Sequence, residues 1–316
     1  MIQFLKNWTL PIAMLAGVIG YFILSQLASV FPSIKAPVFF LIDIFTPLLI
    51  FAQLLLVFCK IDPKDLRPVS WHGWLLAVQL GMCLVFVALL LYCPLGRFWR
   101  YVFEGGMVCF ICPTATAAAV ITGKLGGNAA SLSTYTLLSN FLAAIAVPLL
   151  FPLIEPHEGL GFFQAFLVIL GKVFPLLLFP FFIAMLLRWL LPSVHQRLRA
   201  MSGIAFYIWG LALVIVCGQT VRSLLHSEVP AYVKWTIALA ALLACCVQFY
   251  WGKEIGTRYG ERISAGQALG QKNTVLAIWM AYTFLDPLAA IAPGAYVLWQ
   301  NTINSWQLWK MRRRNK

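Results

Sequence analysis

The sequence predicts an all-α polytopic membrane protein with about ten transmembrane helices, and three observations lead to that fold class. Of its 316 residues, 62% are hydrophobic and only 10% are charged, whereas a soluble domain carries about 25% charged residues. Apolar runs of about 20 residues, long enough to span a bilayer as helices, follow one another along the chain. Two of these runs contain helix breakers near their middle. No stretch is polar enough to form a soluble domain, so we expect residues 1–316 to form a single transmembrane domain.

The predicted helices follow from the apolar runs, taken in order. The first run is longer than the apolar region of a signal peptide, which favours a membrane helix. Residues 160–171 are predicted to lie along the membrane interface ahead of the sixth helix. The ten predicted spans are 8–30, 37–58, 71–93, 104–125, 129–153, 172–191, 202–225, 229–251, 263–285 and 288–309.

The fourth and ninth predicted helices differ from ordinary lipid-facing helices. Pro113 removes a backbone hydrogen bond from the fourth, and Gly266 and Gly270 weaken the ninth. Because lipid cannot hydrogen-bond to an interrupted backbone, such a segment has to be buried or line a cavity. The two interruptions lie about half a chain length apart. We therefore expect two five-helix repeats of opposite topology, about 1–155 and 156–316, a pattern typical of secondary transporters.

The distribution of basic residues predicts the orientation in the membrane. The formal net charge is +13, from 23 Lys and Arg against 10 Asp and Glu. With ten spans, most of the Lys and Arg residues fall in loops on the side that holds both termini. Cytoplasmic loops carry such an excess, so we expect a multi-pass protein of the cell (inner) membrane with both termini in the cytoplasm. The basic C-terminal tail suits anionic lipid, and we expect no nucleic-acid partner.

The cysteines and acidic residues give little support for metal or enzyme chemistry. Most of the eight cysteines lie in apolar runs, where cysteine behaves as a small hydrophobe. Cys109 and Cys112 have the spacing of a metal or redox pair, but there is no second pair and no nearby histidine. The sequence also lacks HExxH, Gly-x-Ser-x-Gly and paired aspartates. We therefore expect no metal, no prosthetic group and no enzyme; an intramembrane enzyme or a channel is a weaker alternative.

Lys272, in the ninth helix, is the most informative polar residue of the sequence. A lysine near the bilayer centre costs about 3 kcal/mol on insertion scales, so it usually faces a cavity or a partner. Its ammonium is expected to act as a fixed charge that replaces a bound cation, to carry a proton, or to bind the carboxylate of a substrate. A structural ion pair with Asp43 or Glu104 is the competing interpretation.

Other polar residues near the two interruptions are candidates to line the same cavity. Half-helix N-termini favour anions, so an anionic substrate group would suit this region. Hydrogen bonding between helices is the alternative role of such residues. The complete set of predicted binding residues is Gln79, Thr114, Thr116, Thr136, Asn140, Gln271, Lys272, Asn273 and Thr274.

Two motifs in these segments resemble those of the bile acid:sodium symporter family. The first is Cys112-Pro-Thr-Ala-Thr-Ala-Ala-Ala-Val-Ile-Thr, where the family has Cys-Pro-Gly-Gly-Thr-Ala-Ser-Asn-Val. The second is Gly270-Gln-Lys-Asn-Thr-Val-Leu-Ala, where the family has Glu-x-Gly-x-Gln-Asn-x-x-Leu-Ala. The ten-helix layout also matches, so the resemblance covers nearly the whole chain. It implies a panel of helices 1, 2, 6 and 7, a core of the other helices, and alternating access in which organic anions move with sodium.

The same resemblance identifies departures at the sodium site. The family's Ser-Asn pair falls on Ala118 and Ala119, and a hydroxyl position of helix 5 becomes Leu132. The family's helix 9 glutamate falls on Ala268, or on Gln267. The glutamine of its Gln-Asn pair falls on Lys272, whereas Gln79 and Thr136 are kept.

An ion site needs several hard oxygens at close range, and most of the family's are missing from this sequence. We therefore expect a carrier of a small organic anion in which Lys272 replaces the sodium ion or carries a proton. An ordinary sodium-coupled symporter is the alternative. The sequence specifies neither the solute nor the oligomeric state.

Overall fold

The computed structural model describes residues 2–156 and 159–314, which fold into helices joined by short connections. Short 3-10 turns occupy Pro32–Ile34, Pro63–Asp65, Met201–Ile204 and Pro287–Ala290. The α-helices are α1 (Ile2–Val30), α2 (Lys35–Phe58), α3 (Ser70–Tyr92), α4 (Arg97–Ile111), α5 (Ala118–Lys124), α6 (Ala129–Ile154), α7 (Phe162–Leu190), α8 (Pro192–Ala200), α9 (Ala205–His226), α10 (Ala231–Thr257), α11 (Arg262–Gly270), α12 (Thr274–Phe284) and α13 (Ile291–Arg314).

Seven helical segments in the described part of the chain are long and apolar enough to cross a membrane. They are Pro11–Val30, Pro32–Phe58, Ser70–Tyr92, Ala129–Ile154, Phe162–Leu190, Pro192–His226 and Ala231–Thr257. The fourth and ninth predicted spans are outside this set because each is divided into two short helices. The tenth predicted span corresponds to α13, which is 24 residues long. It is also outside the set, because its amide side chains make it less apolar than the other spans. The chain is an all-helical, multi-pass membrane protein.

Several helices differ from their predicted bounds. The fourth segment begins with α4 at Arg97, seven residues before the predicted start, because its first turns are amphipathic rather than continuously apolar. Residues 162–171 do not form a separate interfacial segment, since they belong to the continuous helix α7. Helix α8 was not predicted; it is short and begins with Pro192, a residue suited to the first turn of a helix.

Residues 2–60 and 179–228 form one of two compact units. It contains α1, α2, α8, α9 and the second part of α7, and so includes predicted helices 1, 2 and 7 and most of helix 6. Gly17 allows α1 to approach α9 closely, since a Cβ atom there would lie 2.6 Å from the carbonyl oxygen of Val214. Phe58 contacts Phe181 edge to face, with ring centroids 5.7 Å apart. Small residues and aromatic contacts of this kind let membrane helices pack tightly.

The described residues of 61–178 and 229–314 form the other compact unit, which contains α3 to α6, the first part of α7 and α10 to α13. Its centre is apolar and includes Trp71, Leu75, Tyr135 and Leu269, all at most 2% exposed. The rings of Trp71 and Tyr135 stack with their centroids 6.0 Å apart. The side-chain oxygen of Asn128 caps the start of α6 by accepting from the backbone N–H of Ser131 (3.0 Å). This unit holds every candidate binding residue.

Candidate functional site

Two interruptions in the helices, at residues 112–117 and 271–273, form the candidate site. The first separates α4 from α5 and begins one residue before Pro113, which cannot donate a backbone hydrogen bond. The second separates α11 from α12 and follows Gly270 directly. Gly266 was predicted to weaken the helix, but α11 continues through it. Its missing side chain instead makes room for Lys253, whose Cγ would lie 2.6 Å from a Cβ atom at that position.

The two interruptions hydrogen-bond directly to each other. The backbone N–H of Ala115 donates to the carbonyl oxygen of Gln271 (2.9 Å), and that of Asn273 donates to the carbonyl oxygen of Pro113 (2.9 Å). Between these bonds, Thr114 and Lys272 face each other as an antiparallel bridge. The two segments thereby provide hydrogen-bond partners for backbone N–H and C=O groups to which lipid cannot hydrogen-bond. This pairing explains how two broken helices can be buried at membrane depth.

Side-chain amides satisfy most of the remaining backbone groups at the interruptions. Gln300 accepts from the N–H of Lys272 (2.8 Å) and donates to its carbonyl oxygen (3.2 Å). Gln79 donates to the carbonyl oxygens of Ile111 (2.9 Å) and Cys112 (3.3 Å), and its own oxygen accepts from the hydroxyl of Tyr135 (3.0 Å). The last carbonyl groups of a helix have no partner within the helix, and Gln79 supplies the donor for them at the end of α4.

A second group of side chains holds the ends of α4 and α11 from the side of α10 and α13. Gln248 donates to the carbonyl oxygen of Cys109 (3.2 Å) and to the hydroxyl of Tyr296 (3.1 Å). That hydroxyl donates in turn to the carbonyl oxygen of Gly270 (2.8 Å), the last residue of α11. The thiol of Cys112 donates to the carbonyl oxygen of Asn273 (3.0 Å). Side chains from α3, α6, α10 and α13 therefore hold the two interruptions in place.

Hydroxyl groups join the first interruption to α6 and α11. The hydroxyl of Thr114 donates to the carbonyl oxygen of Ala268 (2.6 Å), and its backbone N–H donates to the hydroxyl of Ser139 (3.1 Å). On α6, Asn140 donates to the carbonyl oxygen of Thr136 (2.7 Å). The hydroxyl of Thr136 donates to the carbonyl of Leu132 in its own helix (3.0 Å). Ser139 is thus the residue by which α6 contacts the interruption.

Lys272 is buried, with 1% of its surface exposed. Its ammonium donates to the carbonyl oxygen of Phe110 (3.0 Å), near the C-terminal end of α4. The C-terminus of a helix carries partial negative charge, so a cation is favourable at this position. A lysine with a purely structural role would be expected to form an ion pair with a carboxylate. The ammonium of Lys272 instead bonds to a backbone carbonyl group.

Glu104, one of the two acids considered as a partner of Lys272, pairs with a different cation. Its carboxylate lies 3.0 Å from Nε of Arg100, one turn earlier on α4. Arg100 also binds Glu155 (3.1 Å) and donates to the carbonyl oxygen of Ile154. This cluster accounts for the buried carboxylate of Glu104 without Lys272.

The structure brings together part of the predicted set. Thr114, Gln271, Lys272 and Asn273 meet at the paired interruptions. Asn273 caps α12 by accepting from the backbone N–H of Leu276 (3.3 Å), and the next residue, Thr274, is buried at the first position of that helix.

The other predicted residues lie around these four. Gln79 caps α4, as described above, and Thr116 lies half-buried within the first interruption. Thr136 and Asn140 are buried on α6 and bond within that helix. Their contact with the interruption runs through Ser139.

Sequence reasoning missed Gln248, Tyr296, Gln300 and Ser139. Gln248 lies within the apolar helix α10, and Tyr296 and Gln300 lie within α13, where an amide or phenol away from water needs a partner. That signal was available in the sequence, but it cannot tell which backbone groups the side chain reaches. Among the described residues, no group of three or more His, Cys, Asp and Glu side chains is arranged to hold a metal ion.

Comparison with known proteins identifies a family for this arrangement. A search of the curated proteins finds no match to the chain. The family model of the SBF-like CPA transporter family matches residues 16–302, a range that includes both interruptions. This match confirms the predicted resemblance to the bile acid:sodium symporters. The chain therefore belongs to the SBF-like CPA transporter family and is a multi-pass membrane transporter of a small solute.

Proposed function

We propose that this protein is a secondary carrier that moves a small anionic organic solute by alternating access. It crosses the membrane ten times in two inverted five-helix repeats, with both termini in the cytoplasm. The solute binds beside the two paired interruptions. Membership of a transporter family supports the carrier function, and the interruption in each half of the chain supports the repeat.

The observation that carries the proposal is the buried ammonium of Lys272 at the end of α4. A bound alkali ion would supply one positive charge to this region, and the ammonium supplies the same charge covalently. Ala118 and Ala119 offer no side-chain oxygen to an ion. Of the three roles expected for Lys272, we favour the fixed charge, because the ammonium is held by a hydrogen bond to the protein backbone at Phe110.

The charge of the solute follows from the same region. Helix α12 begins at Thr274, directly after the second interruption, and the N-terminus of a helix carries partial positive charge. Together with Lys272, it makes this part of the unit electropositive. An anionic group on the solute would be stabilised there, whereas a cationic group would be repelled.

The function is tested by replacing Lys272 and measuring solute uptake into proteoliposomes. The solute is first found by a thermal-shift screen of organic anions on the purified protein, in sodium, in potassium and across pH. Wild-type uptake is expected to be the same in sodium and in potassium. Lys272→Gln is expected to reduce the uptake rate at least tenfold, since loss of about 1.4 kcal/mol of favourable interaction has that effect.

Lys272→Arg separates the three possible roles of the lysine. Arginine keeps the positive charge but does not release its proton, so uptake is retained if the charge is fixed and lost if the lysine carries a proton. A raised KM with an unchanged maximal rate in Lys272→Gln would indicate direct contact with the solute. Uptake by Lys272→Gln that is unchanged in rate and in its dependence on sodium and pH would contradict all three roles. Sodium-dependent stabilisation of the wild type would instead favour an ordinary sodium symporter.

A further inference from the structure

A second group of buried polar side chains lies along α11 and α13, apart from the paired interruptions. Gln267 is on α11, and Asn304 and Gln307 are on α13. Nε2 of Gln267 donates to the side-chain oxygens of Asn304 (3.0 Å) and Gln307 (3.4 Å). Gln267 is 1% exposed and Asn304 is 3% exposed. We call these three residues the amide cluster.

The amide cluster leaves three of its buried polar atoms without hydrogen-bond partners. They are Oε1 of Gln267, Nδ2 of Asn304 and Nε2 of Gln307. Rotating the amide groups by half a turn exchanges oxygen for nitrogen, but three positions still lack partners. Buried polar groups without partners are unfavourable, and native proteins contain few of them. The cluster therefore has a built-in capacity to bind a polar group, and binding would relieve this cost.

Three cations lie around the cluster. The side chain of Lys253 packs against Gly266, the residue before Gln267. Lys310 lies about one turn after Gln307 on α13, and Arg262 is the first residue of α11. Nζ of Lys253 lies 5.9 Å from the ring centre of Phe249, and Nζ of Lys310 lies 5.2 Å from that of Trp306. Aromatic rings attract cations without neutralising them. Glu254 and Glu261 are the chain neighbours of Lys253 and Arg262, so the three cations leave a net positive charge, which favours an anion.

The position of the cluster relates it to the path of the solute. Gln271 follows Gln267 by one turn, and its N–H donates to the carbonyl oxygen of Gln267 (3.0 Å). On α13, Gln300, which holds Lys272, lies one turn before Asn304. The cluster is therefore one turn from the paired interruptions, in the direction of the basic ends of α11 and α13 that the sequence predicts to be cytoplasmic.

We propose that the amide cluster is a second binding site, specific for the carboxylate group of the transported anion. The N–H groups of Asn304 and Gln307 donate to the two carboxylate oxygens when α11 and α13 separate slightly, and the three cations attract the charge. The carboxylate gives the N–H groups of Asn304 and Gln307 the acceptors that they lack, and this gain offsets the loss of their bonds to Gln267. The solute is that of the proposed function, so the inference rests on it.

Acetate, a small organic carboxylate, is a suitable probe. The melting temperature of the purified protein is measured in potassium acetate, in potassium chloride of equal concentration and with added acetamide, a neutral molecule of similar shape. Acetate at about ten times its dissociation constant is expected to raise the melting temperature by about 2 °C or more relative to chloride. Acetamide is expected to give no such rise.

Variants assign the acetate effect to the amide cluster. Asn304→Leu and Gln307→Leu are each expected to lose it. Asn301→Leu, on the same helix, is the matched control and is expected to keep it, because Asn301 bonds to Val297 in its own helix (2.7 Å). The control also accounts for the general stabilisation of proteins by acetate. If one leucine variant fails to fold, the other supplies the result.

Lys272→Gln distinguishes this inference from the proposed function. It is expected to keep the acetate effect, since the ammonium of Lys272 bonds to Phe110 and not to the cluster. Loss of the effect in Lys272→Gln would locate the carboxylate at the interruptions and overturn the second site. An effect that persists in both leucine variants, an equal effect of acetamide, or no effect in the wild type would also overturn it. Failure of Lys272→Gln to alter transport would leave the acetate result intact.

Discussion

Replacing Gln300 by leucine is expected to lower the free energy of unfolding by about 1–3 kcal/mol, because it leaves the buried N–H of Lys272 without a partner. The amide of Gln300 bonds to both the N–H and the carbonyl of Lys272, as a neighbouring strand would. The carbonyl oxygen of Lys272 would still accept from the N–H of Thr274 (2.9 Å), so the N–H of Lys272 is the group that loses its partner. The loss would be measured by equilibrium unfolding in mixed detergent micelles.

The matched control for this change is Thr302→Val on the same helix. The exposed hydroxyl of Thr302 bonds to the carbonyl of Leu298 in its own helix (2.9 Å), so its removal is expected to change the stability by less than about 0.5 kcal/mol. Gln300→Leu is also expected to reduce uptake, since the backbone that presents Lys272 loses its support. If Gln300→Leu were as stable as Thr302→Val, the role of the amide as a structural clamp would be wrong.

Replacing Gly252 by alanine is expected to destabilise the protein by about 1–3 kcal/mol through overpacking. A Cβ atom at Gly252 would lie 2.5 Å from the carbonyl oxygen of Ala265 and 3.0 Å from the Cα atom of Gly266. Both atoms belong to the backbone of α11, so no side-chain rotation relieves the clash and α11 has to move away from α10. Because α11 ends at the second interruption, this movement displaces the site, and misplacement by about 1 Å can reduce a rate by about 100-fold.

Gly81→Ala provides the comparison for Gly252→Ala, because a Cβ atom at Gly81 would meet nothing within 4 Å. An alanine inside a helix is favoured over glycine by about 0.5–1 kcal/mol, so Gly81→Ala is expected to keep or raise the melting temperature. Both variants are compared with the wild type by thermal unfolding and by uptake. Equal melting temperatures for Gly252→Ala and Gly81→Ala would refute the close approach of α10 and α11.

The interruptions could be predicted from the sequence because their causes are local. Pro113 lacks a donor whatever surrounds it, and the second interruption follows Gly270. Gly266 shows that a glycine alone does not locate an interruption. It has the same low helix propensity as Gly270, yet α11 continues through it. A glycine weakens a helix by about 1 kcal/mol, and at Gly266 the side chain of Lys253 occupies the space that a larger residue would need. Packing of this kind depends on a distant helix and cannot be predicted from one segment.

The partners of the polar residues could not be predicted, because hydrogen bonding depends on which helices are neighbours. Gln79 and Gln300 are both amides in apolar helices, but only the resemblance to a family singled out Gln79. Thr136 and Asn140 were predicted at the site as polar residues of α6, and they bond within that helix. Ser139 makes the contact instead, since its position on the helix faces Thr114. The sequence identifies the polar residues, and the helix rotation decides which of them reach the interruptions.

The antiparallel bridge between Thr114 and Lys272 has a consequence for motion. Separating the two segments would expose the N–H groups of Ala115 and Asn273 and the carbonyl groups that they bind. These four groups would be left without partners in a medium that supplies none. We therefore expect the half-helices on both sides of the bridge to move together, so that the displacement proposed for alternating access occurs at contacts outside the bridge.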